Sequence, residues 1–150
     1  MRQGKLIGIA IRPKSRAPMT ELLQAEVSPE QGIVGDFRGK PGRRQITVLS
    51  SEVWKTVCTE MDQPLPWTVR RANLFVEGLF FADSISSILR IGSVVLEITG
   101  ETEPCERMNE QMAGLCDLLT PEWRGGVCCR VITGGWIATG TKVTLDTPLP

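Results

Sequence analysis

The chain is divided into short segments whose apolar residues alternate with polar ones, and most segments end at a glycine or a proline. Successive side chains of a β-strand point to opposite faces, so this alternation is typical of strands with one buried face. The predicted strands are Lys5–Ile11, Glu21–Val27, Ile46–Leu49, Asn73–Glu77, Ile91–Thr99, Val127–Thr133, Trp136–Ala138 and Lys142–Leu145. Glu21–Val27 also contains helix-forming residues, but we expect a strand that pairs with the first one. The glycine-marked turns near the C-terminus predict a β-meander. Many short strands at this spacing predict a β-rich, barrel-like single domain over residues 1–150.

Helices are predicted at three places. The pair Ser50-Ser51 can cap a helix N-terminus, and apolar residues follow at helical spacing as far as Met61, before Pro64 stops the helix. Shorter helices are predicted over Ser84–Leu89 and Met108–Leu119. The expected fold is therefore a β-barrel with two or three short helices.

Composition excludes several functional classes. Histidine is absent, which rules out Ser-His-Asp and Cys-His catalytic groups and any metal site with an imidazole ligand. Lysine plus arginine total 17, as do aspartate plus glutamate, so the net charge gives no reason to expect a nucleic-acid or anionic-membrane partner. Residues 1–44 hold nine basic against four acidic side chains, and residues 97–122 hold seven acidic against one basic. Such segregation is compatible with a local basic pocket or with ordinary solvated surface.

The cysteines and the N-terminus indicate the cellular setting. The five cysteines are odd in number and form no C-x-x-C pair, so neither a disulfide framework nor a four-thiolate zinc site is expected. The N-terminal apolar run ends before Arg12 and is too short for a signal peptide or a membrane span. Free thiols without an export signal predict a cytoplasmic protein with no membrane partner.

Residues 32–44 form a glycine-rich, basic loop whose backbone can approach a ligand closely. Its Arg38 and Arg43, together with Arg70 and Arg71 before a later strand, are candidate phosphate partners. The loop is not a Walker A motif, because it lacks the required spacing and the following Ser or Thr. The alternative is that these arginines coat the ends of the barrel and pair with the acidic segment.

Cys105 is a strong nucleophile and soft metal ligand placed in polar, loop-like sequence. The glutamates around it would raise the pKa of a nearby thiol, and no histidine is present to accept its proton. Metal coordination would deprotonate the thiol directly. The alternative is an incidental loop cysteine. Cys128 and Cys129 are adjacent in a strand and are expected to point to opposite faces, whereas Cys58 is expected to be buried on its helix.

Four blocks of the sequence together resemble the MOSC domain, named for the C-terminal domain of molybdenum-cofactor sulfurase. They are G-I-V-G-D-F-R-G at 32–39, R-R-A-N-L-F-V-E-G-L at 70–79, G-S-V-V-L-E-I-T-G-E-T-E-P-C-E-R-M at 92–108, and T-P-E-W-R-G-G-V-C-C-R-V at 120–131. They occur in the family's order and extend over most of the chain, which is similar to the small stand-alone bacterial form of the domain.

The resemblance implies a MOSC-type β-barrel that binds the molybdenum cofactor, in which the dithiolene of a phosphorylated pterin (molybdopterin) holds the metal. Cys105 matches the family cysteine that ligates molybdenum in some relatives, so it is expected to be both metal ligand and catalytic residue. The expected cofactor-binding residues are Arg38, Arg43, Arg70, Arg71, Asn73 and Arg124.

Three functions remain open from the sequence. The first is an oxidoreductase that reduces N-hydroxylated or N-oxide substrates, with electrons from a separate protein because the chain has no ferredoxin-type cysteine cluster. The second is a sulfur carrier that holds a persulfide on Cys105, receives it from a pyridoxal-phosphate desulfurase, and serves cofactor or metal–sulfur cluster assembly. The third is a non-catalytic barrel that binds a phosphorylated ligand.

Overall fold

The computed structural model describes residues 2–103, 109 and 112–147. Within them, the strands are β1 Arg2–Ile11, β2 Thr20–Leu22, β3 Gln24–Ser28, β4 Gly32–Ile33, β5 Ile46–Ser50, β6 Leu74–Glu77, β7 Ile88–Ile91, β8 Val94–Glu101, β9 Val127–Thr133, β10 Gly135–Ala138 and β11 Lys142–Asp146. The α-helices are α1 Ser51–Met61 and α2 Leu115–Leu119, and single 3-10 turns cover Trp67–Arg70 and Pro121–Trp123.

Seven strands form a closed barrel in the order β11-β7-β8-β9-β5-β6-β1, because β1 pairs back onto β11. The pairings around the barrel are antiparallel except β5–β6, which is parallel and is connected through α1. β2 extends the sheet beyond β1, and β10, β3 and β4 make a separate three-stranded sheet. The predicted β-rich barrel is confirmed.

Two apolar cores hold this arrangement together. The first fills the barrel with the inward-facing side chains of its strands, including Leu6, Ile9 and Leu96, all fully buried. The second lies outside the barrel, where Trp54 and Val57 of α1 pack against α2. Burial of these side chains stabilises the fold, since each contributes about 1.5–3 kcal/mol.

The predicted central helix is confirmed at both ends. The Ser50 hydroxyl accepts a hydrogen bond from the Val53 N–H at 3.4 Å, and the helix ends at Asp62 in the left-handed conformation. Cys58 is half-buried against the outer apolar core, consistent with its predicted packing role. Among the helices of the described residues, none is long and apolar enough to cross a membrane.

The helix predicted over Ser84–Leu89 is wrong. Asp83 and Ser86 have φ of 57° and 71°, and the Ser84 hydroxyl donates to the Phe81 carbonyl at 2.5 Å. These turn interactions compete with a helix and lead directly into β7. Only part of the helix predicted over Met108–Leu119 can be assessed, because residues 108, 110 and 111 lie outside the described residues; α2 occupies its end.

Strand pairing also departs from the prediction. The segment expected as one strand over Glu21–Val27 is two strands, of which β2 pairs with β1 and β3 with β10. The predicted C-terminal meander is wrong, because β10 leaves the barrel and β11 pairs with β7 and β1. The strand predicted over Ile91–Thr99 contains the β7–β8 turn, where Gly92 has a φ of 60°.

Candidate functional site

The short turn before β6 directs two arginine side chains to different loops. Arg70 is buried and its Nε donates to the Gly125 carbonyl at 2.9 Å. Arg71 follows in the left-handed conformation with a φ of 65°, and its guanidinium donates to the Ala17 carbonyl. These two predicted binding residues therefore do not form a single clamp, and each one fixes a separate loop beside the barrel.

Asn73 connects three neighbouring strands. Its side-chain oxygen accepts from the Thr47 N–H at 3.0 Å and from the Thr47 hydroxyl at 3.2 Å. Its side-chain nitrogen donates to the Ala10 carbonyl at 3.1 Å, and the residue is only 6% exposed. The amide thus links β1, β5 and β6 in the protein itself, while its role toward a cofactor stays a prediction.

Where the glycine-rich basic loop meets the end of β1, the charges of Arg71 and of the exposed Arg38 act on Arg12. The pKa of Arg12 is lowered by burial first, and then by the positive charges of Arg71 and Arg38, with Asp36 acting in the opposite direction. The Arg12 N–H donates to Asp36 Oδ1 at 2.9 Å, and its guanidinium lies 5.7 Å from the centre of the Phe37 ring. Like charges held this close disfavour one another unless an anion joins them.

No carboxylate of the described residues forms an ion pair with any of these three arginines. The Nε of Arg71 is shielded from solvent and has no hydrogen-bond partner in the described part of the chain. Buried polar groups are normally paired, so this orphaned donor indicates a missing acceptor. Arg38 and Arg71 were predicted from the sequence, whereas Arg12 was not. The sequence feature that points to Arg12 is its position at the end of a strand in the basic N-terminal segment.

The buried side chain of Gln45 anchors the glycine-rich basic loop. Its Nε2 donates to the Pro29 carbonyl at 2.7 Å and to the Gly39 carbonyl at 3.2 Å, while its oxygen accepts from the Val131 N–H at 2.9 Å. A Cβ atom at Gly39 would overlap the Gln31 carbonyl oxygen, so the tight packing of the loop requires glycine there. The loop is consequently a fixed platform.

Arg43, from the same loop, reaches the end of β8. Its guanidinium donates to the Thr99 carbonyl at 3.1 Å, and the Thr99 hydroxyl donates back to the Arg43 carbonyl. Arg124 instead turns toward the helices, where it pairs with Glu60 of α1 and donates to the Leu118 carbonyl of α2 at 3.3 Å. Of the predicted binding residues, the structure thus brings Arg38 and Arg71 together and places Arg43 and Arg124 elsewhere.

The strand that leads to Cys105 ends beside the Gly125-Gly126 turn. The Thr102 N–H donates to the Gly126 carbonyl at 2.9 Å, and its hydroxyl lies 3.3 Å from the Cys128 sulfur. Cys105 itself lies outside the described residues, so its assignment as metal ligand and catalytic residue stays a prediction. Among the described residues, no three His, Cys, Asp or Glu side chains are grouped so as to hold a metal ion.

The adjacent cysteines of β9 occupy different environments, as the sequence predicted. Cys129 belongs to the barrel core, where burial raises the pKa of its thiol well above its ordinary value and the neighbouring Cys128 adds to the effect. Cys128 lies outside both apolar cores, next to Thr102. Cys129 is therefore an inert packing residue.

Glu101 carries a pH-dependent contribution to stability. Burial raises the pKa of its carboxyl, and the nearby Glu103 raises it further. A carboxyl with a raised pKa in the folded state favours folding while protonated, and this contribution is lost as the pH rises through the folded-state pKa.

We therefore expect Glu101→Gln to stabilise the protein at neutral pH and to have no effect well below the ordinary carboxyl pKa of 4.5. Urea unfolding at both pH values measures the difference, with the exposed Glu30→Gln as control. A stabilisation that is equal at both pH values would contradict the electrostatic explanation.

The family model of the MOSC domain matches residues 20–144. No curated protein matches the chain. The YuaD protein from Bacillus subtilis has a similar structure, with a TM-score of 0.84, 20% identity, and coverage of 98% of this chain and 97% of that one.

Two further solved structures share the fold. YiiM from Geobacillus stearothermophilus gives a TM-score of 0.78 at 17% identity and covers 95% of this chain and 74% of its own. YiiM from Escherichia coli gives 0.74 at 16% identity, with coverage of 97% and 71%. At these identities the similarity concerns the fold alone.

Proposed function

Because the chain belongs to the MOSC domain family, we propose that it binds the molybdenum cofactor, with Cys105 as the protein ligand of the metal. The observation that carries the proposal is that Arg71 and Arg38 both act on Arg12, that Asp36 is the carboxylate acting on Arg12, and that none of the three arginines forms an ion pair among the described residues. A phosphorylated pterin brings an anion that such a group of arginines can bind.

The phosphate end of the cofactor fits the described residues. Guanidinium groups bind phosphate through paired N–H donors, and the buried Nε of Arg71 is a donor that still lacks an acceptor. Arg43 holds the glycine-rich basic loop against the end of β8, only a few residues before Cys105 in the chain. The proposed phosphate site and the proposed metal ligand are thus linked by one fixed loop.

Arg70 and Asn73 have supporting roles in this proposal. Arg70 fixes the Gly125-Gly126 turn, and that turn binds Thr102 at the start of the segment that carries Cys105. Asn73 links β5 and β1 through its hydrogen bonds to Thr47 and Ala10. When bound, the cofactor would supply two-electron redox chemistry, and the protein would bind and orient it.

On this basis we propose an oxidoreductase that reduces N-hydroxylated compounds with electrons from a separate protein. The thiolate of Cys105 suits a soft transition metal, and the absence of histidine leaves few other side chains to ligate it. The electron donor would have to approach the end of β8, where Cys105 is attached through residues 102–104.

The proposal is tested by elemental analysis of protein purified from cells that make the cofactor. Wild-type protein should contain about one molybdenum per chain, and Cys105→Ala should lose it, whereas the half-buried Cys58→Ala should retain it. Equal metal contents in all three would contradict ligation by Cys105. Metal-free wild-type protein with cyanide-releasable sulfur on Cys105 would support the sulfur-carrier function instead.

A further inference from the structure

A cleft of about 350 Å³ opens beside the N-terminal turn of α1. Its walls come from that turn, from Phe80 and its neighbours after β6, and from Glu122, Trp123 and Arg124 after α2. This volume lies in the range of small-molecule sites, about 300–1,000 Å³. Phe80 is 53% exposed although it is a large apolar side chain, and it forms part of the cleft wall. The cleft therefore offers an aromatic surface that the protein itself does not cover.

Two of the three charged side chains in the cleft lining are carboxylates. Glu52 and Glu122 line it, and neither forms an ion pair with a basic side chain of the described residues. Both carboxylate oxygens of Glu52 accept from the Gly78 N–H, at 3.0 and 2.9 Å, which fixes this charge in place. Arg124 is the basic residue of the lining, and Glu60 neutralises it. A ligand with a positive charge complements this arrangement.

The wall formed by the residues after α2 is conformationally strained. Glu122 and Trp123 are consecutive non-glycine residues with φ of 53° and 58°. Each such residue costs about 1–2 kcal/mol, and conformations of this kind persist where the surrounding structure imposes them. This backbone conformation places a carboxylate and an aromatic residue side by side in the wall of the cleft.

We propose that this cleft binds small aromatic ammonium compounds. The aromatic ring would contact Phe80 and Trp123, and the ammonium group would lie near Glu122 and Glu52. Aromatic faces also attract cations directly, so the two kinds of contact reinforce each other. The inference does not rest on the proposed cofactor, because the residues proposed to contact the amine (Phe80, Trp123, Glu122 and Glu52) lie outside the expected cofactor-binding set.

The test is isothermal titration of the metal-free protein, residues 1–150, with naphthylmethylamine, and with naphthoate as the ligand of the same ring system but opposite charge. We expect the amine to bind and naphthoate to bind much more weakly. Glu122→Gln should weaken amine binding about two- to fivefold, and Phe80→Ala about fivefold or more. Glu26→Gln, an exposed carboxylate change on β3, should leave binding unchanged.

Three outcomes would overturn the proposal. One is no measurable binding of the amine up to its solubility limit. Another is equal binding of amine and naphthoate, which would indicate non-specific apolar contact. The last is amine binding that neither Glu122→Gln nor Phe80→Ala changes. Because the titration uses metal-free protein, each outcome can be judged whether or not the chain binds molybdenum.

Discussion

Asn73→Ala is expected to lower the free energy of unfolding by about 2–5 kcal/mol, measured by urea denaturation. The substitution removes the acceptor of the Thr47 N–H and the donor to the Ala10 carbonyl in a site that is only 6% exposed. Each buried group left without a partner costs about 1–3 kcal/mol. The loss should appear in the protein without any ligand, because every partner of the side chain belongs to the chain itself.

A matched control separates this structural role from cofactor binding. Gln24→Ala removes an amide from an exposed position on β3 and should change stability by less than about 0.5 kcal/mol. If Asn73→Ala leaves stability unchanged but lowers the molybdenum content of the purified protein, the hydrogen bonds to Thr47 and Ala10 are not the main role of the side chain. The expected result is the reverse: stability falls in metal-free protein.

Local features of the fold were predictable because the signals are local. Alternating residues mark β8, and Ser50 with Pro64 delimits α1. The pairing of β10 with β3 was not predictable, since these strands are more than a hundred residues apart in the sequence. The glycine turns near the C-terminus suit hairpins. In the structure, however, β11 closes the barrel by pairing with β1 and β7, and β10 belongs to the three-stranded sheet.

The site shows the same division between local and distant information. Composition and spacing identified Arg38, Arg70 and Arg71 as candidates, yet adjacent Arg70 and Arg71 bond to loops on different parts of the chain. The sequence places Arg12 only at the end of a strand in the basic N-terminal segment, and its proximity to Arg38 and Arg71 depends on the fold because they come from distant segments. The sequence shows which residues carry charge. The tertiary structure decides which of these charges lie close together.

Arg12→Gln should weaken cofactor retention about ten- to a hundredfold, which corresponds to the loss of a charged hydrogen bond to phosphate, about 1.5–3 kcal/mol. The backbone groups of Arg12 that bond to Asp36 and Phe37 do not depend on its side chain, so the loop should keep its position. Retention is measured as the rate at which the pterin, detected by its fluorescence after oxidation, is lost from the protein on dialysis. Arg71→Ala should have a similar effect.

Arg12→Gln is expected to increase the stability of the ligand-free protein. Burial and the charges of Arg71 and Arg38 disfavour the charged form of Arg12 in the fold, as its lowered pKa indicates. A neutral glutamine should therefore stabilise the ligand-free protein while it weakens retention of the ligand. Arg90→Ala, which removes a surface arginine paired with Asp146, should do neither. A residue with only a structural role would lose stability and retention together, and that result would remove Arg12 from the phosphate site.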